Sequence, residues 1–162
     1  MSKDSIIYQP IGVIRTPYVN IKDMPIQPSG AQSVRGELVI KPEFIAGLSD
    51  LDGFSHIFLI YHFHKVQSYE LTVVPFMDNV SRGVFSTRAP KRPNPIGISI
   101  VRLISVESNI LTVENVDLLD GTPILDIKPY VPVFDHHEAE RVGWLTGCSG
   151  EIKTKRSDER FA

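Results

Sequence analysis

Cysteine is almost missing from this chain. Cys148 is the only one among 162 residues, so no intramolecular disulfide can form, and a reducing, cytoplasmic compartment is the expected home. Long hydrophobic runs are missing too. No stretch approaches the length needed to cross a bilayer, and the opening "MSKDSIIYQPIGVIRTPY" lacks the apolar core of a secretory leader. No G-x-G-x-x-G follows a strand and no G-x-x-x-x-G-K-[ST] occurs, which removes the dinucleotide fold and the P-loop. None of Ser86, Ser99 and Ser149 sits in a G-x-S-x-G elbow, so a hydrolase triad has no support. The H-x-H of His62 and His64 and the "DHH" at 135–137 lack a third ligand at recognisable spacing, and Cys148 has no partner thiol. No metal site is expected.

Helical periodicity is equally scarce, and what fills its place is β-branched and aromatic. "IGVIRT", "RGELVI", "SHIFLIYHFHKV", "LTVVPF", "GISIVRLISVES" and "NILTVENVDLL" read as strands bounded by Gly, Pro, Asp or Ser. On such a strand His62 and His64 share a face with Phe58 and Ile60. "KPEFIAGLSDLDGF" has room for one short helix before the Asp52-Gly53 turn, and "HEAERVGWL" for another. Many strands punctuated by twelve prolines and eleven glycines predict a mainly β protein. The expected form is a small closed or nearly closed β-barrel with few short helices, not a Rossmann sheet. With 42% hydrophobic and 22% charged residues, residues 1–162 suit a single globular domain with a core that needs no staples.

Net charge is only −2, yet its distribution is uneven. From Pro75 through Ser105 the sole acid is Asp78, against Arg82, Arg88, Lys91, Arg92 and Arg102. Acids gather in "VENVDLLD" and "DHHEAE", so one cationic face is expected. Within the basic interval, Pro90, Pro93 and Pro95 exclude helix and central strand. The loop they stiffen carries Arg88, Lys91, Arg92 and Asn94 and loses little entropy on binding an anion. A second candidate is "VDLLDGTPILDIKPY". There a strand ends at Asp120-Gly121, and the Gly121 and Thr122 amides with the Asp120 carboxylate could meet a polar ligand or form a plain turn. Asp117 and Asp120 suit acid–base work or turn capping equally. In "DIKPY", Asp126 and Tyr130 combine an acceptor with an aromatic plane, a chemistry that holds the amino group of a flat base. It is similar, in chemistry only, to the D/N-P-P-Y element of adenine amino-methyltransferases.

Taken together, "IGVIRTPY", "LDGFSHIFLIYHFHK", "GVFSTRAPKRPNPIGIS" and "VDLLDGTPILDIKPYVP" closely resemble the TrmO family, and they cover most of residues 11–132 in that family's order. The resemblance implies an S-adenosylmethionine-dependent methyltransferase built on a β-barrel and working as a homodimer. Its substrate would be N6 of threonylcarbamoyl-adenosine beside the anticodon of threonine tRNA. Carried onto matching positions, it implies a cofactor site drawn from Gln27, Pro28, His64, Lys65, Arg88, Ile98, Asp117, Leu118, Asp120 and Thr122. Arg88 is expected to hold the cofactor's carboxylate, with Lys91 and Arg92 left for RNA phosphate. Asn94, Asp126 and Tyr130 are the expected substrate-orienting, catalytic group. Bacterial relatives of this kind carry an additional C-terminal domain, and the chain resembles a short form without it. Either a helper protein stands in or the substrate differs. Two other readings stay open: a methyltransferase for another adenine-like or small-molecule substrate, and a cofactor-binding module.

Overall fold

Alternation of buried and exposed residues along most strands gives this chain one apolar sheet face, and with few helices to cover it the sheet hides that face by curling on itself. The structure, a computed structural model, describes residues 5–24 and 33–146. Its strands are β1 (Gly12–Arg15), β2 (Arg35–Ile40), β3 (His56–His62), β4 (Thr72–Val73), β5 (Arg82–Gly83), β6 (Ile96–Glu107), β7 (Ile110–Glu114) and β8 (Pro123–Pro129). Six of them form a closed barrel in the order β1-β2-β7-β6-β3-β8, while β4 and β5 make a separate two-stranded sheet. Every pairing is antiparallel.

The expected mainly β barrel is therefore what the chain forms. β8 closes it, pairing with β1 at Gly12–Ile124 and with β3 along Ile57–Pro129 to Tyr61–Ile124. Proline sits only at the two ends of this strand, where a missing ladder donor is tolerated. The interior is filled by Ile14, Leu38, Ile57, Leu59, Val101, Leu111, Val113 and Ile124, all at 0% exposure. The β2–β3 connection adds two 3-10 turns, Pro42–Leu48 and Leu51–Gly53, whose Phe44, Leu48 and Leu51 pack against this core. A satellite cluster of Val73, Val84 and Ala89, with Phe76 against it, lies beneath the small sheet.

Local details differ from the sequence expectation. The strand expected over "SHIFLIYHFHKV" stops at His62, because the Phe63 N–H turns to the Pro95 carbonyl and Val66 then closes a turn onto Phe63. His64 lies in that turn, so it does not share a strand face with His62. The helix expected in "HEAERVGWL" is only a 3-10 turn at Gly143–Leu145, with Gly143 at φ +57 breaking any longer run. The one described α-helix is Pro132–Asp135, which starts on proline and ties the Val131 N–H to Asp135 Oδ2 at 2.7 Å. Among the described residues no helix is long and apolar enough to cross a membrane.

Leu38 is fully enclosed at the centre of β2, facing Ile14 on β1 and Leu111 on β7 across the ladders. Leu38→Ala is expected to lower the free energy of unfolding by about 2–5 kcal/mol, read from the urea midpoint at unchanged slope.

Candidate functional site

One end of the barrel is left open as a cleft of about 280 Å³. Four separated segments line it. The end of β3 and the turn after it give Tyr61, Phe63, His64 and Lys65; the start of β6 gives Ile96, Gly97 and Ile98. The proline-rich loop gives Thr87, Arg88, Pro90 and Arg92, and the segment before β8 gives Asp117, Leu118, Leu119 and Thr122. Ile21 and Met24 complete one edge.

The loop is held by its own side chains. Thr87 Oγ1 donates to the Val84 carbonyl at 2.8 Å and accepts from the Ala89 N–H at 3.2 Å. Arg92 Nη1 gathers the carbonyls of Val84, Thr87 and Ala89 at 3.2, 2.8 and 3.3 Å. With Thr87 and Ala89 both buried, the Arg88 side chain between them is delivered to the cleft. Lys91 faces Glu70 at 4.0 Å and is 18% exposed. Arg82 is bound to Asp78 through Nη2 and Nε at 2.7 Å, and Arg102 stands 3.6 Å from Glu114. The basic run is thus matched by Asp78 and carbonyls within it and by Glu70 and Glu114 from outside it.

The turn before β8 is clamped onto β1. Thr16 Oγ1 donates to the Leu118 carbonyl at 2.9 Å, the Gly121 N–H to Ile14 at 2.9 Å, and the Thr122 N–H to Leu119 at 3.2 Å. Gly121 adopts φ +76, a left-handed turn conformation natural to glycine. Both amides proposed for ligand contact already donate within the protein. Asp120 is likewise engaged away from the cleft lining, accepting from the Thr16 N–H at 3.0 Å and lying 3.8 Å from Arg15. Leu118 and Thr122 are buried at the cleft wall.

Asp117 is the electrostatic centre of the site. Ser99 Oγ donates to its Oδ1 at 2.7 Å, and the Tyr61 hydroxyl lies 3.1 Å from Ser99. Dense surroundings at the cleft floor push the Asp117 carboxyl up to about 6; the Ser99 hydrogen bond, its own backbone N–H and the Arg88 charge pull the other way. Burial, followed by the Asp117 charge, raises the Tyr61 phenol far above its ordinary range. His64 is lowered by burial and by the charge of Lys65, which keeps the imidazole neutral at neutral pH. Tyr61 and Ser99 were not singled out from the sequence as site residues. The signal was present in β6: Ser99 is the lone polar side chain in an inward row with Val101 and Leu103.

Of the residues expected at a cofactor site, the cleft brings together His64, Lys65, Arg88, Ile98, Asp117, Leu118 and Thr122. Asp120 braces the turn behind them, and Gln27 and Pro28 lie outside the described residues. Arg92 lines the cleft while bracing its loop, and Lys91 lies beside Glu70. Asn94, Asp126 and Tyr130 are not part of the lining. Asn94 is exposed, and its carbonyl accepts from the Ile96 N–H at 2.7 Å. Asp126 pairs with Lys128 at 2.8 Å on the outer face of β8. Tyr130 meets Phe58 and His56 edge to face, with centroids 5.6 and 6.3 Å apart. Among the described residues no group of three His, Cys, Asp or Glu could hold a metal ion.

A small antiparallel barrel with a cation and a carboxylate converging on an end cleft defines a class, and comparison with known proteins gives it a family. Residues 13–136 match the family described as tRNA-methyltransferase O N-terminal domain, and the chain belongs to that family. A probable S-adenosyl-L-methionine-binding protein of Pyrococcus abyssi is 53% identical over 156 residues, covering 96% of this chain and 85% of the relative. The tRNA (adenine(37)-N6)-methyltransferase of Escherichia coli is 42% identical over 138 residues, covering 79% of this chain and 59% of that enzyme. The crystal structure of TrmO from Pseudomonas aeruginosa superposes with a TM-score of 0.73 at 39% identity, covering 86% of this chain and 62% of that one. The chain thus spans about three fifths of the length of these two TrmO-type proteins.

The raised Asp117 value carries a stability consequence. With its folded-state pKa near 6, above the ordinary 3.8, the folded protein holds this proton more tightly than the unfolded chain. The site is therefore least unfavourable below pH 4, and the ionised carboxylate costs up to about 3 kcal/mol once pH exceeds 6, less whatever water at the mouth screens. Asp117→Asn is expected to raise the thermal midpoint of ligand-free protein at pH 7.5 and to leave it unchanged at pH 4, in a calorimetric pH series.

Proposed function

We propose that this chain binds S-adenosylmethionine in the end cleft and transfers its methyl group to N6 of the adenosine beside the anticodon of tRNA, with threonylcarbamoyl-adenosine as the substrate. The observation that carries this reading is that Arg88 and Asp117 share one cleft with the apolar side chains of Phe63, Ile98, Leu118 and Leu119. That pairing fits a ligand with one carboxylate, several positively charged or hydrogen-donating groups and a flat base. When bound, the cofactor supplies an electrophilic methyl group on sulfonium. Arg88 binds the ligand's carboxylate by a charge-assisted fork. Asp117 accepts hydrogen bonds from its donors, and neutral His64 with Lys65 borders the opening. The buried Leu118 and Thr122 exclude water from the cleft wall, and the braced loop holds Arg88 in place, so positioning supplies much of the rate.

Asn94, Asp126 and Tyr130 are proposed to orient the target base. In a single chain they stand outside the cleft: Asp126 is two strand spacings, or about 10 Å, from Ile98, because Ile98 pairs with Ile60 and Ile60 with Asp126, and Tyr130 lies at the far end of β3, beside His56. The same outer face carries Ile96, Ile98, Ile100 and Ile104 at 39, 51, 39 and 39% exposure, an apolar stripe of the kind that marks an interface. A second copy seated on it would wall the cleft, because Ile96 and Ile98 belong to both the stripe and the cleft lining. A homodimer is proposed on that ground. The three Arg92 bonds all come from Nη1, so contact with RNA phosphate falls to its remaining N–H groups and to Lys91.

Incubation with methyl-labelled S-adenosylmethionine and total tRNA is expected to label RNA, and tRNA lacking the threonylcarbamoyl group is expected to stay unlabelled. Cofactor binding with no transfer to any RNA would instead support the reading as a binding module. Arg88→Ala is expected to weaken cofactor binding at least about tenfold, the scale of a lost charge-assisted bond, by calorimetric titration. Ile100→Asp is expected to convert a dimer to a monomer in light scattering; an unchanged mass would rule out the stripe as the interface.

A further inference from the structure

We propose that Ser99 and Tyr61 are positioning residues for the cofactor, forming a directed hydrogen-bond chain from Tyr61 through Ser99 that keeps Asp117 aimed into the cleft in the ionised form the cofactor requires. This rests on the reading of the cleft as the S-adenosylmethionine site.

The direction follows from counting protons. Ser99 has one hydroxyl proton, and its Oγ lies 2.7 Å from Asp117 Oδ1 and 3.1 Å from the Tyr61 hydroxyl. An ionised carboxylate can only accept, so the serine proton goes to Asp117 and Tyr61 donates its own to Ser99. Burial and the Asp117 charge keep the Tyr61 phenol protonated across the accessible pH range, so this donor is permanent. A protonated Asp117 is the weaker acceptor for the Ser99 proton, so the bond from Ser99 favours the ionised carboxylate.

The fold builds this chain deliberately into the cleft. Ser99 is 3% and Tyr61 7% exposed, at inward positions of β6 and β3. In register, Tyr61 faces Gly97 and Leu59 faces Ser99, so the tyrosine must reach diagonally over β6 to meet the serine. Only glycine allows it: a Cβ at position 97 would collide with the ring and stand 2.8 Å from its hydroxyl. No buried side-chain polar atom is left unsatisfied among the described residues, and Asp117, whose Oδ1 is held by Ser99, lines the cleft. The other titratable or charged groups around the cleft are Arg88 and Arg92 on the loop and His64 and Lys65 on the turn after β3. Burial and the Lys65 charge bias His64 to neutral. Asp117, pushed up to about 6, is the group that changes state near neutrality.

The test is calorimetric titration with S-adenosylmethionine from pH 5 to 9, paired with carbon NMR titration of the Asp117 carboxyl in cofactor-free protein. Wild-type affinity is expected to be flat above pH 7 and about tenfold weaker at pH 5, the loss set by a single proton that must leave. Ser99→Ala removes the bond that favours the charged form, so both the NMR midpoint and the affinity profile are expected to move to higher pH. Tyr61→Phe is expected to shift both the same way by less. Asp117→Asn should flatten the profile, which separates Asp117 from His64. Thermal unfolding of each variant checks folding; should Ser99→Ala fail to fold, Tyr61→Phe and the wild-type profile decide. Binding by wild type with a profile unmoved in the variants overturns the chain and leaves the cofactor reading standing. No binding by wild type at any pH overturns both.

Discussion

Closure of the barrel by β8 is the constraint on which the rest depends. This strand bonds to β1 on one side and β3 on the other, so chain positions more than a hundred residues apart become neighbours. The clamp of Thr16 on Leu118 and Asp120 requires it, whereas Asp117 reaches Ser99 by continuing the β6–β7 register beyond Arg102–Glu114. An open sheet would leave Ile14, Leu38 and Val113 wet and would release the turn before β8 from its bonds to Ile14 and Thr16. Hydrophobic closure, driven by the burial of the inward row, therefore also fixes the wall of the cleft that Leu118 and Thr122 form.

Near the cleft that inward row gives way to polarity. Along β6 it reads Gly97, Ser99, Val101, Leu103: apolar where the barrel is dry and small or polar where it opens. A polar residue inside a strand interior is tolerated only with a partner, and Ser99 has two. The partner carboxylate is itself unfavourable to bury, so this end of the molecule gives up stability that the apolar centre supplies. Strain of this kind concentrates where ligands bind.

The clustered cations show how tertiary structure rewrites a linear pattern. Arg82 pairs locally with Asp78, but Lys91 and Arg102 of the same basic interval are met by Glu70 and Glu114 from outside it. Arg92 is turned inward to hold three carbonyls. The proline-stiffened loop is accordingly a frame for Arg88 more than a basic patch, and its rigidity comes from hydrogen bonds as much as from proline.

Alternating apolar patterns, the prolines and glycines between them and the scarcity of helical periodicity were enough to point to a mainly β, closed or nearly closed barrel, because a period-two apolar face has to be buried; full closure came from the pairing of β8 with β1. The motifs also marked the segments that line the cleft. Only the folded chain decided which members of each motif face it. Asp117 turns to the cleft while Asp120, three residues on, braces β1. Asp126 and Tyr130 fall on the outer face. His62 and His64 part company where Phe63 bonds to Pro95. Tyr61 and Ser99, unremarkable in the sequence, meet at the cleft floor. Those outcomes depend on register, turn geometry and contacts between distant segments, which no local pattern encodes.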